Sequence, residues 1–165
     1  FLKDRLMGSL REQGYTAQEI DAVLSLNLQN LSDIPKRLAA VRAFTALPEA
    51  VSLAAANKRV GNIHKKTADV ISAQVDVSLL QESAEQTLHQ ALVDMLPITD
   101  KAFAAGDYTT SLQTLAALKS PIDTFFNHVM VNAEDESLRK NRLALLAQLH
   151  QVMNRVADIS KLATT

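Results

Sequence analysis

Apolar side chains recur every three or four residues along most of the chain, and this spacing constrains the fold more than any other feature. From residue 53 onward, Leu53, Ala56, Val60 and Ile63 follow one another at steps of three, four and three residues. An α-helix turns about 100° per residue, so this spacing places all four side chains on one face. The pattern indicates an amphipathic helix, and similar spacing recurs in most other segments.

Few residues interrupt this helical pattern. The 165 residues include only four glycines and four prolines, which favours helices over many short strands. A chain of this length forms an ordinary domain that buries roughly 70% of the surface its unfolded state exposes. No linker, composition shift or internal repeat divides the sequence, so we expect one all-α domain over residues 1–165.

Charge and residue usage exclude several classes of protein. The net charge of −1 argues against binding nucleic acid through the overall field, but a local basic face remains compatible with it. The absence of cysteine excludes disulfides and thiolate metal sites and fits a cytoplasmic protein. No run approaches the ~18 apolar residues of a membrane span, so we expect no membrane partner. The start at Phe1, within a helical pattern, suggests a piece excised from a longer polypeptide.

Capping residues predict where the first helices end and begin. Gly14 suits the C-terminal cap of the first helix, and Thr16 with Glu19 forms a capping box that opens the second. The pattern loosens over residues 27–31 and resumes in a third helix. The fourth helix is predicted from about Pro48 to Lys66.

Later segments predict a break, a link and a long final helix. Residues 75–80 favour an extended link, and Pro97 is predicted to end the helix that precedes it. Apolar residues from Leu138 to Ile159 keep a seven-residue frame, which predicts that the last helix is the longest.

Basic residues concentrate on the fourth helix, away from its core face. Arg59 lies on one flank, and the opposite side carries Lys58, Asn62, Lys65 and Lys66. Such charges usually form only a solvated face. The functional alternative is a phosphate contact, supported by Asn57 and Asn62, whose amides can hydrogen-bond base edges. Gly61 costs the helix about 1 kcal/mol relative to alanine, which indicates close approach of another helix or a ligand.

Other candidate groups carry less information. Phe125 and Phe126 fit a core stripe better than a stacking platform for bases. A second basic group, Arg139, Lys140 and Arg142, follows three acids, so local ion pairing is its simplest interpretation. The four histidines lack metal-ligand spacing, and no nucleotide-binding motif or catalytic constellation occurs, so we predict no metal and no catalytic residue.

Specific stretches carry a resemblance to a known family. "LAAANKRVGNI" and "PIDTFFNHVMVNAEDESLRKNRLALL" are the most specific, and "EQGYTAQEIDAVL", "KRLAAVRAF" and "RVADISKL" extend the match over nearly the whole chain. With these stretches the chain resembles the C-terminal DALR-type anticodon-binding domain of the bacterial glycyl-tRNA synthetase β subunit. The letters DALR themselves do not occur at the end, where "VADISKL" stands.

The resemblance implies a helical bundle with a long C-terminal helix that engages the anticodon region of glycine tRNA. It implies no cofactor in the domain itself, because a separate α subunit of the heterotetramer activates glycine with ATP and magnesium. Carried onto this sequence, the matching motifs nominate six residues for RNA contact: Asn57, Lys58, Arg59, Asn62, Arg139 and Arg142. Lys65 and Lys66 would add attraction for the RNA backbone. Asn57 and Arg142 have a second interpretation as buried hydrogen-bonding locks between helices.

Two hypotheses of function therefore compete. The first is an anticodon-binding module without catalytic activity of its own. The second is a helical interaction module that contacts another domain or the α subunit and affects RNA binding only indirectly. An exposed apolar surface would favour the second hypothesis.

Overall fold

The computed structural model describes residues 2–26, 33–67 and 74–163. Within these ranges the chain forms helices and no strand, which confirms the all-α prediction. The helices are α1 (Leu2–Glu12), α2 (Ala17–Leu24), α3 (Ile34–Thr45), α4 (Ala50–Lys66), α5 (Ser83–Ala104), α6 (Tyr108–Thr114), α7 (Lys119–His128) and α8 (Glu136–Met153). Short 3₁₀ helices span Val77–Leu79, Leu115–Leu118 and Ile159–Leu162.

The caps between α1 and α2 form as predicted. Gly14 has a φ of 97°, a conformation that glycine adopts without strain. The Thr16 hydroxyl accepts a hydrogen bond from the Glu19 amide at 3.1 Å, and the Glu19 carboxylate accepts one from the Thr16 amide at 2.9 Å. Burial alone would raise the pKa of Glu19, but hydrogen bonds from Arg42 and Thr16 hold that pKa below its ordinary value. The predicted loosening at residues 27–31 lies outside the described residues.

Pro97 does not end a helix, so that prediction is wrong. It lies inside α5, which runs unbroken for 22 residues. Proline removes one hydrogen bond, to the carbonyl of Val93, a residue that lies on the exposed side of α5 with 45% of its surface accessible. Met95 and Thr99, on either side of Pro97, remain buried, and this packing keeps the helix continuous.

The last helix is shorter than predicted. It has 18 residues and ends at Met153, so α8 is not the longest helix. The Asn154 side chain donates a hydrogen bond to the His150 carbonyl at 2.8 Å and caps this end. Val156 and Ile159 keep their buried positions in the turn and 3₁₀ helix that follow. The apolar spacing therefore predicted burial correctly but not helical conformation.

The predicted extended link at residues 75–80 also differs in the structure. Val77–Leu79 forms a short 3₁₀ helix, because the Asp76 carboxylate accepts hydrogen bonds from the Ser78 amide at 3.0 Å and from its hydroxyl at 2.6 Å. Residues 68–73 of the preceding segment lie outside the described residues.

One hydrophobic core collects side chains from α1 to the 3₁₀ helix at Ile159–Leu162. Helix α5 packs against α6, α7 and α8, while α4 contacts α7, α8 and that last 3₁₀ helix. This arrangement puts the basic helix α4 beside both α7 and α8. The single-domain organisation over residues 1–165 stays a prediction.

Across the described parts of the chain, no individual helix combines the length and hydropathy needed to cross a bilayer. Helices α3 and α4 meet those criteria only as a pair, and their axes bend by 111° at the break between them.

Candidate nucleic-acid interface

The structure places Asn57 in the core. Its side chain has no exposed surface, and its amide exchanges two hydrogen bonds with the amide of Asn154, at 2.6 and 2.9 Å. This reciprocal pair joins the middle of α4 to the C-terminal cap of α8. Asn57 is therefore a buried hydrogen-bonding lock between helices, the second of the two interpretations given for it above. Its amide is not exposed to a base.

The other polar candidates on α4 are exposed, but they divide between two sides of the helix. Lys58, Asn62 and Lys65 lie on the outer side. Arg59 and Lys66 lie on a flank that faces α7 and the connection between α7 and α8. Lys66 therefore lies with Arg59 and not, as the sequence had indicated, with Lys58, Asn62 and Lys65, and the flank with Arg59 and Lys66 borders two concave regions.

The first concave region, the α4–α8 cleft, lies at the C-terminal end of α4 and has a volume of about 260 Å³. It brings together Lys66 and Arg139, which are far apart in the sequence. The remaining wall residues are Ile63, Thr67, Val131, Asn132 and Leu143. Two cations and an amide above an apolar floor suit a ligand with both negative charge and flat apolar surface.

Arg139 and Arg142 hold the connection that forms one wall of this cleft. The Arg139 guanidinium donates to the Ala133 carbonyl at 3.2 Å, and the Arg142 guanidinium donates to the Met130 carbonyl at 2.6 Å. Arg142 is only 6% exposed and also pairs with the fully buried Glu85 of α5, at 2.9 Å. Arg139 lines the cleft, whereas Arg142 lies behind it, in contact with α5.

Local ion pairing, which the sequence suggested for the second basic group at the start of α8, occurs at Lys140. Lys140 pairs with Glu136 one turn earlier, at 2.7 Å. The Asp135 carboxylate accepts hydrogen bonds from the amides of Ser137 and Leu138 and caps the helix.

The second concave region, the α4–α7 groove, lies along the same flank of α4 and has a volume of about 390 Å³. Its lining includes Ser52, Ala55, Ala56, Arg59, Ile122, Asp123, Phe126 and Asn127. The Arg59 guanidinium carbon lies 4.1 Å from the centre of the Phe126 ring. Phe125 is fully buried, which confirms its prediction as core, and Phe126 is half-buried beneath Arg59.

Two histidines lie between α4 and α8. Their rings, His64 and His150, meet edge to face with 5.9 Å between centres. Burial lowers the pKa of His64, and burial together with the neighbouring His64 lowers the pKa of His150. Both rings are therefore neutral at pH 7, and the positive charge near the cleft comes from lysine and arginine.

Gly61 faces α8, but the space beside it does not require glycine. A Cβ atom at this position would meet His150 Nε2 at 3.9 Å, which is an ordinary contact. Among the described residues, no backbone of another helix lies within 4 Å of that Cβ position, so the close helix approach that the sequence suggested as the reason for Gly61 is wrong.

Replacing Gly61 with alanine is expected to raise the free energy of unfolding by about 0.5–1 kcal/mol, because alanine loses less backbone entropy in a helix. The corresponding rise in melting temperature is about 1–4 °C for a chain of this size. Thermal unfolding followed by circular dichroism measures it. A fall in melting temperature would show that α8 has no room for the added methyl group.

Sequence reasoning missed several groups at these two regions. Asn132, Thr67, Asp123 and Asn127 join the candidates only through the packing of α4 beside α7 and α8. Their polarity near helix ends is the only signal in the sequence, and many surface residues share it. Within the described ranges, no group of three histidine, aspartate or glutamate side chains is placed to hold a metal ion.

Comparison with known proteins identifies the family. Residues 28–163 match the family described as DALR anticodon binding domain. The chain is 66% identical to the glycine–tRNA ligase beta subunits of Dechloromonas aromatica and Methylobacillus flagellatus, and 63% identical to that of Delftia acidovorans. Each alignment covers 99% of this chain and 23% of the relative, so the chain spans under a quarter of these proteins. This match, together with the all-helical fold, shows that the chain belongs to the DALR anticodon-binding domain family, as the resemblance in its sequence implied.

Proposed function

We propose that this chain is the anticodon-binding domain of a glycine–tRNA ligase beta subunit and that its RNA-binding surface is the flank of α4 beside α7 and α8. The observation that carries the proposal is the α4–α8 cleft, which is lined both by Lys66, a basic candidate of the fourth helix, and by Arg139, a candidate of the motif "LRKNRL". Two candidates from distant parts of the chain that meet at one cleft support a shared ligand.

The electrostatics of the cleft support RNA as that ligand. The whole chain has a net charge of −1, so its overall field does not attract a polyanion. Lys66 and Arg139 concentrate positive charge at the cleft, and Asn132 adds an amide that can hydrogen-bond a base or ribose. Binding would therefore be local and would require the RNA to place a phosphate near both cations.

The remaining candidates have different parts in this proposal. Lys58 and Lys65 lie on the outer side of α4 and add general attraction for the RNA backbone, and the uncharged Asn62 beside them can hydrogen-bond a base edge. Arg59 lies on the flank, in the α4–α7 groove. Asn57 and Arg142 act indirectly, because their hydrogen bonds position α4 and the α7–α8 connection.

The chain itself has no role in bond formation under this proposal. The relatives are ligase subunits, and the chain corresponds to less than a quarter of their length. We infer that glycine activation with ATP and magnesium takes place on a separate α subunit, in a cytoplasmic heterotetramer, and that this domain contributes recognition of glycine tRNA.

The interaction-module hypothesis has weaker support. Its marker is a contiguous exposed apolar surface. The large apolar side chains exposed among the described residues are Val51, Val77, Val93, Ile98 and Met130, and of these only Val93 and Ile98 share a helix, α5. Single exposed apolar residues are ordinary on protein surfaces, so we favour RNA binding.

A titration with two RNAs tests the proposal. The protein at its natural length is titrated with glycine tRNA and with the same tRNA carrying a substituted anticodon, each at two salt concentrations. We expect about tenfold tighter binding of the native tRNA, because a lost base contact costs about 1–3 kcal/mol, and weaker binding at higher salt. Equal affinity for both RNAs, or no binding, would contradict the proposal and favour an interaction module.

A further inference from the structure

The α4–α7 groove differs in charge from the α4–α8 cleft. Its ionisable lining residues are Arg59 and Asp123, which carry opposite charges, whereas Lys66 and Arg139 give the cleft two positive charges. Lys119 also pairs with Asp123, at 2.9 Å, but the Asp123 carboxylate lines the groove and repels a phosphate at close range. A phosphate is therefore attracted to the cleft more than to the groove, and the groove suits the uncharged base of a nucleotide. The two regions thus differ in the chemistry they can bind.

The groove offers a flat surface for stacking. The Arg59 guanidinium lies over the Phe126 ring, and Phe126 is in turn held edge to face by the buried Phe125, with 5.5 Å between ring centres. This contact holds the guanidinium of the exposed Arg59 at the groove, where it can serve as a stacking surface. Unpaired bases stack on arginine planes of this kind in protein–RNA complexes.

The polar groups beside the platform can read the edge of a base. Ser52 and Asn127 provide a hydroxyl and an amide, and Asp123 provides a carboxylate. Lys119 binds Oδ2 of Asp123 at 2.9 Å, which leaves Oδ1 to accept a hydrogen bond. A carboxylate accepts from the exocyclic amino group of a base and repels a carbonyl oxygen at the same position. The lining therefore favours a base that carries an exocyclic amino group.

The position of the groove fits a continuous strand. Arg59 and Lys66 are seven residues apart on α4, so they project from nearly the same side with a separation of about 10 Å along the helix axis. A nucleotide strand along this flank would thus place a base in the groove and a nearby phosphate in the cleft.

We propose that the α4–α7 groove binds one unpaired nucleobase that carries an exocyclic amino group, stacked on the Arg59 guanidinium and hydrogen-bonded to Asp123. The inference rests on the proposed function that the chain binds RNA. It adds a binding site, a chemical class of ligand and a residue that determines specificity.

Two substitutions test the stacking and the base reading separately. Arg59→Lys keeps the charge but removes the flat stacking surface, and Asp123→Asn keeps the shape but loses the obligatory acceptor. Arg11→Lys on α1 and Asp94→Asn on α5 are matched controls at other exposed positions. All four variants are made in the protein at its natural length and checked for an unchanged melting temperature.

The probes are glycine tRNA and a set of variants in which each anticodon-loop cytosine is changed to uracil and each adenine or guanine to hypoxanthine, so that every exocyclic amino group is removed in turn. We expect the wild type to lose about tenfold in affinity at one position of this set. Arg59→Lys is expected to weaken binding of the native tRNA about fivefold or more without changing its salt dependence. Asp123→Asn is expected to reduce the tenfold discrimination to about threefold or less, and both controls to behave as wild type.

The outcomes separate this inference from the proposed function. A wild type that binds native and anticodon-substituted tRNA alike contradicts the proposed function and the inference with it. A wild type that discriminates, together with Arg59→Lys and Asp123→Asn proteins that bind and discriminate equally well, overturns the inference alone and leaves the α4–α8 cleft as the recognition site.

Discussion

Replacing Arg142 with methionine is expected to lower the free energy of unfolding by about 3–5 kcal/mol, the usual cost of removing one partner of a buried ion pair. Glu85 has no exposed surface, and Arg142 is its charged partner at 2.9 Å. The variant would leave the Glu85 carboxylate buried without its cation and the Met130 carbonyl without its donor. The expected fall in melting temperature is about 6–20 °C for a chain of this size.

Thermal and urea denaturation of the wild type and the Arg142→Met variant measure this effect. The double variant Glu85→Leu/Arg142→Met removes both charges and is expected to recover at least about 2 kcal/mol, because apolar replacements of buried pairs are often tolerated. Lys140→Met is the matched control on α8, and its exposed pair with Glu136 contributes about 0–1 kcal/mol. A single Arg142→Met variant within about 1 kcal/mol of the wild type would show that the buried pair contributes little.

This pair also shows a limit of sequence reasoning at the candidate site. The fragment "LRKNRL" presents three basic residues that look alike in the sequence, yet Arg139 lines a cleft, Lys140 faces solvent and Arg142 is buried. The signal that separates them lies in α5, where Glu85 interrupts the apolar stripe of Ala84 and Leu88. A charge on a core stripe requires a buried partner, but the spacing within one helix does not identify it.

The same limit applies to Asn57. Helical spacing places it about 40° from Leu53, near the core face, but an asparagine there is equally compatible with the edge of a polar surface. Its partner, Asn154, follows α8 and is remote in the sequence. Only the packing of α4 against the end of α8 shows that the two amides satisfy each other.

The fold was predictable where local chemistry decides it. The capping box of Thr16 and Glu19 and the positive φ at Gly14 depend on a few neighbouring residues, and both were predicted correctly. Pro97 was misjudged because tertiary packing on both sides of it outweighs one lost hydrogen bond. The end of α8 was misjudged because a 3₁₀ helix can bury Ile159 as well as an α-helix would.

The groove and the cleft were not predictable, because each combines helices that are distant in the sequence. The sequence shows which side of α4 is polar, but it does not show that α7 and the α7–α8 connection run along only one flank of it. That arrangement separates Arg59 and Lys66, at concave surfaces, from Lys58 and Lys65, on the outer side. Two exposed basic residues at a concave surface can therefore contribute more to RNA binding than two exposed basic residues on the outer side of the same helix.

This inequality leads to the second large expected effect. The double variant Lys66→Gln/Arg139→Gln is expected to weaken binding of glycine tRNA at least about 100-fold, because each charge-assisted hydrogen bond to a phosphate contributes about 1.5–3 kcal/mol and tenfold in affinity is about 1.4 kcal/mol. The variant loses the Arg139 bond to the Ala133 carbonyl, but Arg142 still donates to the Met130 carbonyl, and an unchanged melting temperature is the check that the α7–α8 connection stays in place. Titrations at several salt concentrations should also show a shallower slope of log K, where K is the binding constant, against log salt concentration. Each lost phosphate contact with single-stranded RNA reduces this slope by about 0.7, so the double variant should reduce it by about 1.4.

The matched control is Lys58→Gln/Lys65→Gln, which removes the same charge from the outer side of the same helix. If the α4–α8 cleft is the phosphate site, this control should weaken binding by about threefold at most, since exposed charges outside the contact act only through a field that salt screens. Equal losses for the two double variants would mean that RNA responds to the total charge of α4 and would contradict the cleft as a specific site. A large loss for the cleft variant alone, with its shallower salt slope, would assign the phosphate contacts to Lys66 and Arg139.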